Sequence, residues 1–312
     1  MQVAILIPCR NEEAAIGHVV RDFAAALPHS TIYVYDNNST DRTRQVAADA
    51  GAVVRRESRQ DKGHVVCRMF ADVEADVYVL VDGDGTYDAA SAARMIERLC
   101  AEQLDMVTAV RVTSSRAAYR SGHRFGNRLL TSLVASLFEN RFSDILSGYR
   151  IFSRRLVKSF PALVSGFEIE TAFTVHALEL RMPVAEVETP YKDRPEGSAS
   201  KLRTYRDGFR ILWTILRLLL EVRPLYLLGS LSFLFVLTSL NLAYPVLTIY
   251  LETGLVPRLP TAVLAASLMV LAFLCLASGF ILDMVTLGRL ETKSLLYLTL
   301  PAPPPPERHF IA

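Results

Sequence analysis

The sequence predicts an α/β chain: a mostly parallel sheet with helices on both faces, then an amphipathic helix and two transmembrane helices. Three observations carry that expectation. Short β-rich runs alternate with helical stretches through the first two hundred or so positions; polar turns follow those runs; and two long apolar stretches without Asp, Glu, Lys, Arg or His come only after Arg223. Strand and helix in alternation place parallel strands between helical layers, with ligands at the C-terminal strand ends.

The first run, Val3 to Pro8, starts directly after Met1 and Gln2. It has no basic leader, so it reads as a strand and not a signal sequence. Thr31 to Tyr35, Ala52 to Val54, Asp76 to Val81 and Met106 to Val110 follow as strands. Between them Glu12 to Ala26, Thr40 to Ala50, His64 to Ala75 and Ala89 to Ala101 carry helical periodicity. After the first strand stands "PCRNEE", after the second "DNNSTDRT", after the fourth "DGDGTYD" and after the fifth Arg111.

At 312 residues, 51% of them hydrophobic and with mean hydropathy +0.26, the chain is more apolar than a soluble protein of its length. The excess lies in Pro224 to Leu251 and Leu259 to Leu282, each longer than the ~20 residues a spanning helix needs. Arg217, Arg223, Arg289 and Lys293 flank this region on its outer sides, with only Arg258 between the spans. The positive-inside rule then puts both ends in the cytoplasm, as for a protein of a bacterial inner membrane. On a helical plot Arg203, Arg206, Arg210, Arg217 and Glu221 share one stripe, which suits a helix at headgroup level among membrane lipids and equally a domain-packing helix. The expected divisions are 1–200, 201–223, 224–290 and a Pro-rich tail over 291–312. Cys9, Cys67, Cys100 and Cys275 show no paired or metal-like spacing, and a net charge of +2 is too small to point to nucleic acid. The oligomeric state, homo-oligomer included, is left open.

Two carboxylates one residue apart at an exposed strand tip raise a chemical question. Alternation sends Asp82 and Asp84 to one side, with Gly83 leaving room for a ligand's backbone. Mg²⁺ or Mn²⁺ beside a diphosphate takes one or two such carboxylates plus phosphate oxygens and water. Asp36 and Asn37 can bond a base edge or ribose, and Glu12 adds an acceptor, though Asp36 to Thr40 also suits a turn with a helix N-cap. There is no G-x-x-x-x-G-K-[ST] loop and no G-x-G-x-x-G after the first strand, so ATPase and dinucleotide readings lose their support.

"IPCRNEEAAIG", "VYDNNSTDRT", "DKGHVV" and "VLVDGDGTYD", in that order, resemble the family 2 glycosyltransferases of GT-A fold. "YRSGHRFGNRL", "FSDILSGYRIFSRR" and "RPEGSASKLRTYRDG", followed by two spans, are similar to the dolichyl-phosphate mannose synthase and bacterial polyprenyl-phosphate glycosyltransferase group. The resemblance implies a nucleotide-sugar site at Pro8, Arg10, Asn11, Glu12, Tyr35, Asp36, Asn37, Lys62, Asp82, Gly83 and Asp84. It implies Mn²⁺ or Mg²⁺ on Asp82 and Asp84, with phosphate-binding Arg111, Arg124 and Arg194. Thr86 replaces a metal-holding Gln, so the third protein ligand is absent, or is the Thr86 hydroxyl or a water; Arg10 and Asn37 also depart from the usual Tyr and Asp. The Gln-x-x-Arg-Trp signature of processive synthases is missing, since Trp213 follows Arg210-Ile211-Leu212.

A lipid phosphate acceptor is already anionic near neutral pH, so a general base is dispensable and repulsion from the donor diphosphate is the obstacle. Guanidinium charge offsets it. The basic run Arg111, Arg116, Arg120, His123, Arg124 and Arg128 fits, with Asn127, Arg194 and Lys201, though i, i+4 spacing also describes a solvated helix face. Asp144 stands near the acceptor or in a turn, and Glu168 and Glu170 begin a helix that shapes the site. The catalytic set is thus Asp84, Arg111, Arg124 and Asp144. The expected reaction is inverting transfer of one sugar from a UDP- or GDP-linked donor to undecaprenyl or dolichyl phosphate. Transfer to another glycolipid or polymer, and a non-catalytic sugar-nucleotide-binding module, are the alternatives.

Overall fold

The computed structural model describes residues 1–112, 143–161, 169–192, 220 and 222–305. Arg124, Asn127, Arg128, Arg194, Lys201 and Glu168, and nearly all of the expected amphipathic helix, lie outside the described residues. Two compact units divide the chain: Met1–Gly208 with Lys293–Ala312, and Phe209–Thr292.

The first unit holds a sheet of β1 (Val3–Cys9), β2 (Thr31–Asp36), β3 (Val53–Arg56), β4 (Val77–Leu80), β5 (Met106–Val112), β6 (Arg150–Ser153) and β7 (Val184–Pro190), in the order β3-β2-β1-β4-β6-β5-β7. β6 runs antiparallel to β4 and β5, and every other pairing is parallel. The helices between are α1 (Ile16–Ala26), α2 (Thr43–Asp49), α3 (Lys62–Asp72), α4 (Ser91–Ala101), α5 (Arg154–Ser159) and α6 (Ile169–Glu179).

Burial follows pattern. β1 and β4 are continuous apolar runs, and Ile5, Leu6, Ile7, Val77, Val79 and Leu80 are wholly buried, as central parallel strands covered on both faces must be. α1 presents Ile16, Val19, Val20 and Phe23 to that core, and α4 presents Ala92, Met95, Ile96 and Leu99. Each fully buried Leu, Ile or Val contributes about 1.5–3 kcal/mol. β3, "VVRR", lies at the sheet edge with both arginines exposed, charge that discourages further strand pairing. All four parallel strands β1 to β4 therefore end on one rim, where the turns after β1, β2 and β4 meet.

The second unit contains α7 (Pro224–Thr253) and most of α8 (Leu259–Leu298). Both are long and apolar enough to cross a membrane. Ser232 Oγ donates to Ala272 O at 2.8 Å and Ser239 Oγ to Ala265 O at 2.7 Å. Ala265, Ala272 and Gly279 are buried at heptad spacing, and a Cβ on Gly279 would meet Leu225 Cδ1 at 3.2 Å. Small residues and hydroxyl-to-carbonyl bonds of this kind let apolar helices approach closely. Outward-facing Phe233, Leu234, Phe273 and Ile281 are more than half exposed, a contiguous apolar surface of the kind that marks a membrane or protein contact. α8 continues to Leu298, past the expected boundary at 290, and its last turn belongs to the first unit: Lys293 Nζ lies 2.7 Å from Glu179 Oε2, and Tyr297 OH donates to Asp105 Oδ2 at 2.8 Å.

Candidate active site

The tip of β4 is built as two carboxylates in different settings. Asp84 is only 4% exposed, which corrects the expectation of an exposed strand tip. Its Oδ1 accepts from Thr86 N at 3.2 Å and Thr86 Oγ1 at 2.7 Å, and Gly85 supplies the left-handed φ of +74° that this tight turn requires. Thr86 is itself fully buried. Its hydroxyl proton is directed at Asp84, so its position is that of a brace for the carboxylate, in contrast to the ligand role considered from the sequence. Asp88, last in "DGDGTYD", accepts from Ser91 N and Oγ and starts α4.

Asp82 is held differently. A Cβ on Gly148 would fall 2.3 Å from Asp82 Oδ2, so only glycine admits the carboxylate there. The other oxygen, Oδ1, accepts from Lys62 Nζ at 2.5 Å, and the same ammonium reaches Glu170 Oε1 at 2.5 Å. Lys62 opens α3, whose N-cap Asp61 accepts from Gly63 N at 2.8 Å; such a cap contributes about 1 kcal/mol. Burial alone would lower the Lys62 pKa, but Asp82 and then Glu170 outweigh it and hold it raised. Gly83 does not face a ligand as expected. Its Cβ would stand 2.4 Å from Cys9 Sγ and 3.3 Å from Ile7 Cγ2, so glycine is needed for packing on β1.

Cys9 records how closely the rim converges. Burial pushes its thiol pKa up, and the charges of Glu12, Asp82, Asp36 and Asp84 push it further. Carboxylates from the turns after β1, β2 and β4 thus act on one sulfur atom.

The β2 turn departs from expectation. Asn37 Nδ2 donates to Glu57 O at 3.0 Å and Arg59 O at 2.8 Å, and its Oδ1 accepts from Asp61 N at 2.9 Å. With both donors and its carbonyl engaged, Asn37 pins the segment before α3 and is not turned to a base edge. Tyr35 is corrected as well: it is wholly buried, and its hydroxyl donates to Asp72 and accepts from Arg55, away from the rim. Asp36 is 1% exposed and receives Ser39 N. Asn11, at φ +52°, accepts from Thr40 N at 2.8 Å, while Glu12 N donates to Thr43 Oγ1 at 2.9 Å; both join the β1 turn to the β2 turn. Pro8 is half-buried beside Tyr35 in the ladder, and the exposed Arg10 guanidinium meets the Gln60 amide.

Arg111 and Asp144, expected to act separately, form a bidentate pair: Nε to Oδ2 at 2.6 Å and Nη2 to Oδ1 at 2.8 Å. Arg111 also lies over the Tyr191 ring at 5.5 Å. Tyr191 packs on Tyr87 at 5.3 Å, and the Tyr87 hydroxyl accepts from Gly148 N at 2.9 Å. A continuous line of contacts therefore runs from Asp82 through Gly148, Tyr87 and Tyr191 to Arg111.

Sequence reasoning missed Gly148 and Arg150. Arg150 is completely buried; it donates to Ser147 O, Ile145 O and Thr174 Oγ1, and burial lowers its pKa to about 10. Thr174 Oγ1 in turn donates to Glu170 O. One guanidinium thus fixes both the loop carrying Asp144 and Gly148 and the helix carrying Glu170. An arginine among apolar residues in "SGYRIF" was the available signal, since a buried charge survives only with several partners.

The described residues also line two open cavities. One of about 840 Å³ lies between α1 and residues 85–90, with Lys192 at its edge; one of about 420 Å³ lies between the β1 turn and α2.

The chain's residues 4–160 match the profile of "Glycosyl transferase family 2". Glycosyltransferase AglJ of Haloferax volcanii is 33% identical over 77% of this chain and 80% of the relative. Protein RfbJ of Shigella flexneri is 54% identical over 38% of this chain and 94% of the relative, and a dolichyl-phosphate hexose transferase of Haloferax volcanii is 25% identical over 71% and 95%. Among solved structures, glucosyl-3-phosphoglycerate synthase from Mycobacterium tuberculosis, in complex with Mn²⁺, UDP-glucose and phosphoglyceric acid, superposes with a TM-score of 0.58, 21% identity, and coverage of 70% of this chain and 78% of that one. The sheet has the GT-A fold, and this chain belongs to glycosyl transferase family 2.

Proposed function

We propose that this glycosyltransferase moves one sugar, with inversion, from a UDP- or GDP-linked donor to polyprenyl phosphate, undecaprenyl or dolichyl, at the cytoplasmic face of a membrane. The observation that carries the reading is the arrangement at the β4 tip: Asp82 shares the Lys62 ammonium with Glu170, and Asp84, two residues on, is a buried carboxylate braced by Thr86. Carboxylate oxygens so placed at one strand tip suit a divalent cation.

The donor set fits such an ion. Among the described residues no three His, Cys, Asp or Glu side chains form a group that could by itself hold a metal ion. Mg²⁺ and Mn²⁺ at phosphates use few protein carboxylates, completing their shell with phosphate oxygens and water. Asp82 and Asp84 are the residues that would hold it, Asp84 braced by Thr86 and Asp82 backed by Gly148. A bound divalent cation supplies positive charge against the departing nucleoside diphosphate. The Mn²⁺ and UDP-glucose of the synthase with the same fold support this assignment.

The acceptor follows from two supports. One relative is named for a dolichyl-phosphate substrate, and α7 and α8 have the length and apolarity of membrane spans, which would keep a polyprenyl tail near the enzyme. An ionised lipid phosphate attacks without a general base. Asp144 agrees with that economy, because both its oxygens are engaged by Arg111. Arg124, Asn127, Arg128, Arg194 and Lys201 are assigned to the acceptor phosphate on resemblance alone. The division at residues 200, 223 and 290, with the catalytic part cytoplasmic, belongs to the same proposal.

The test uses purified full-length protein with Mn²⁺, labelled UDP- and GDP-sugars, and undecaprenyl or dolichyl phosphate. The expected product is an organic-extractable glycosyl lipid formed with one equivalent of nucleoside diphosphate. Equal transfer to polyprenol lacking phosphate, or label entering only a polymer or another glycolipid, would overturn the acceptor assignment. Tags at 253–256 and after Ala312 should report opposite sides of the membrane.

A further inference from the structure

We propose that Lys62 and a divalent cation compete for the same Asp82 oxygen, and that Glu170, already bonded to the Lys62 ammonium, is the positioning residue that retains it when the cation binds. The proposal rests on the metal reading above. Its geometry is independent of that reading.

Asp82 has one oxygen backed against Gly148 and the other, Oδ1, on the Lys62 ammonium at 2.5 Å. A divalent ion would coordinate carboxylate oxygen at about 2.0–2.2 Å, and on Oδ1 it would compete with an ammonium already at contact distance. Like charges at that separation repel strongly in a half-buried site. Repulsion favours release of the ammonium from Oδ1, and its other carboxylate partner among the described residues is Glu170 Oε1, 2.5 Å away, on a side chain only 7% exposed. The two ends of the exchange are unequal. Glu170 sits in the first turn of α6, tied through its carbonyl to Thr174 and thence to the buried Arg150. Lys62 hangs from the capped first turn of α3 on a four-carbon stem able to swing between partners. Without the Glu170 carboxylate, the ammonium keeps, among the described residues, only Asp82 as its carboxylate partner, and it then opposes the cation more strongly.

The test reads Mn²⁺ binding alone, by electron paramagnetic resonance titration of the full-length protein without donor. Lys62→Met should bind Mn²⁺ at least about tenfold more tightly than the natural chain, and Glu170→Gln about tenfold more weakly. A merely structural role for either residue cannot tighten metal binding. Lys62→Met leaves a buried carboxylate without its partner, which destabilises folding. The double variant Lys62→Met/Glu170→Gln removes both charges together, and it should bind more tightly than Glu170→Gln alone. Binding that needs Asp82, shown by its loss in Asp82→Asn, yet is unchanged or weakened by Lys62→Met and by the double variant relative to Glu170→Gln would overturn the exchange alone. Binding indifferent to Asp82→Asn would overturn the metal assignment and the exchange with it.

Discussion

The turns after β2 and β4 carry similar residues on the same rim, yet they do different work. In the β2 turn Asn37 bonds two backbone carbonyls and one backbone amide of the segment before α3, and Asn38 bonds Ser58 O. Its polar groups are consumed in holding the chain. In the β4 turn Asp84 is braced by a hydroxyl and an amide, and Asp82 faces a cation. Its oxygens are positioned by donors, which is how a site keeps anionic groups ready for a metal or phosphate partner. The two turns differ in the kind of group their side chains meet: Asn37 and Asn38 donate to backbone carbonyls, whereas the Asp82 and Asp84 carboxylates accept from ammonium, hydroxyl and amide donors.

The largest expected effect is on the β4 side. Asp84→Asn keeps an Oδ1 acceptor for Thr86, so the melting temperature should hardly move, while kcat falls about 10²–10³-fold through lost charge at the leaving diphosphate. Steady-state assays beside thermal melts of the full chain measure both. Near-normal turnover in saturating Mn²⁺ would erase the distinction between the turns.

The β2 side should respond in stability. Asn37→Asp removes the donors that meet Glu57 O and Arg59 O and sets a carboxylate against two carbonyls. Leaving those groups unsatisfied costs about 2–4 kcal/mol. Turnover of the folded fraction should stay within about threefold, measured below the melting transition.

Gly148→Ala sharpens the comparison, because its effect passes through Asp82 without changing any polar group. A Cβ 2.3 Å from Asp82 Oδ2 must displace that carboxylate. The expected outcome is a fall in kcat of about 10- to 100-fold, with an overpacking cost of about 1–3 kcal/mol in melts.

The smallest effect is a pH dependence set within α6. Burial lowers the pKa of His176 from 6.5 to about 3, with Nε2 paired to Ser159 Oγ at 3.0 Å. The unfolded chain takes up a proton below pH 6.5 and the folded chain does not until about 3. Stability from this group is therefore fully present above pH 6.5 and is lost as pH falls toward 3. His176→Gln should show a shallower acid limb in melting temperature against pH.

Much of the fold was legible because apolar runs and helical periodicity recur in order: β1 to β5 and the helices between the first five strands fall where the sequence places them. β6 and β7 were not. β6 is four residues long and begins with an arginine, Arg150, whose partners are carbonyls and a hydroxyl in distant segments. β7, "VAEVETP", carries two glutamates on a half-exposed strand. Asp82, Asp84 and Lys62 lie where the sequence places them, at a strand tip and a helix start. The partnership with Glu170 was not legible, since it joins residues 108 positions apart. Gly148 gives no local signal, because its requirement is the space occupied by Asp82. Asn37 was misread because the same donors and acceptors serve a base edge and a neighbouring loop equally well.

One experiment bears most directly on the account: glycosyl transfer to polyprenyl phosphate by the full-length natural chain, Asp84→Asn and Asn37→Asp, assayed side by side in saturating Mn²⁺ at a temperature where all three are folded. The account predicts labelled glycosyl lipid from the natural chain and, within about threefold, from Asn37→Asp, with Asp84→Asn lower by about 10²–10³-fold. A folded Asn37→Asp protein as inactive as Asp84→Asn, or an Asp84→Asn protein that turns over normally, would contradict it.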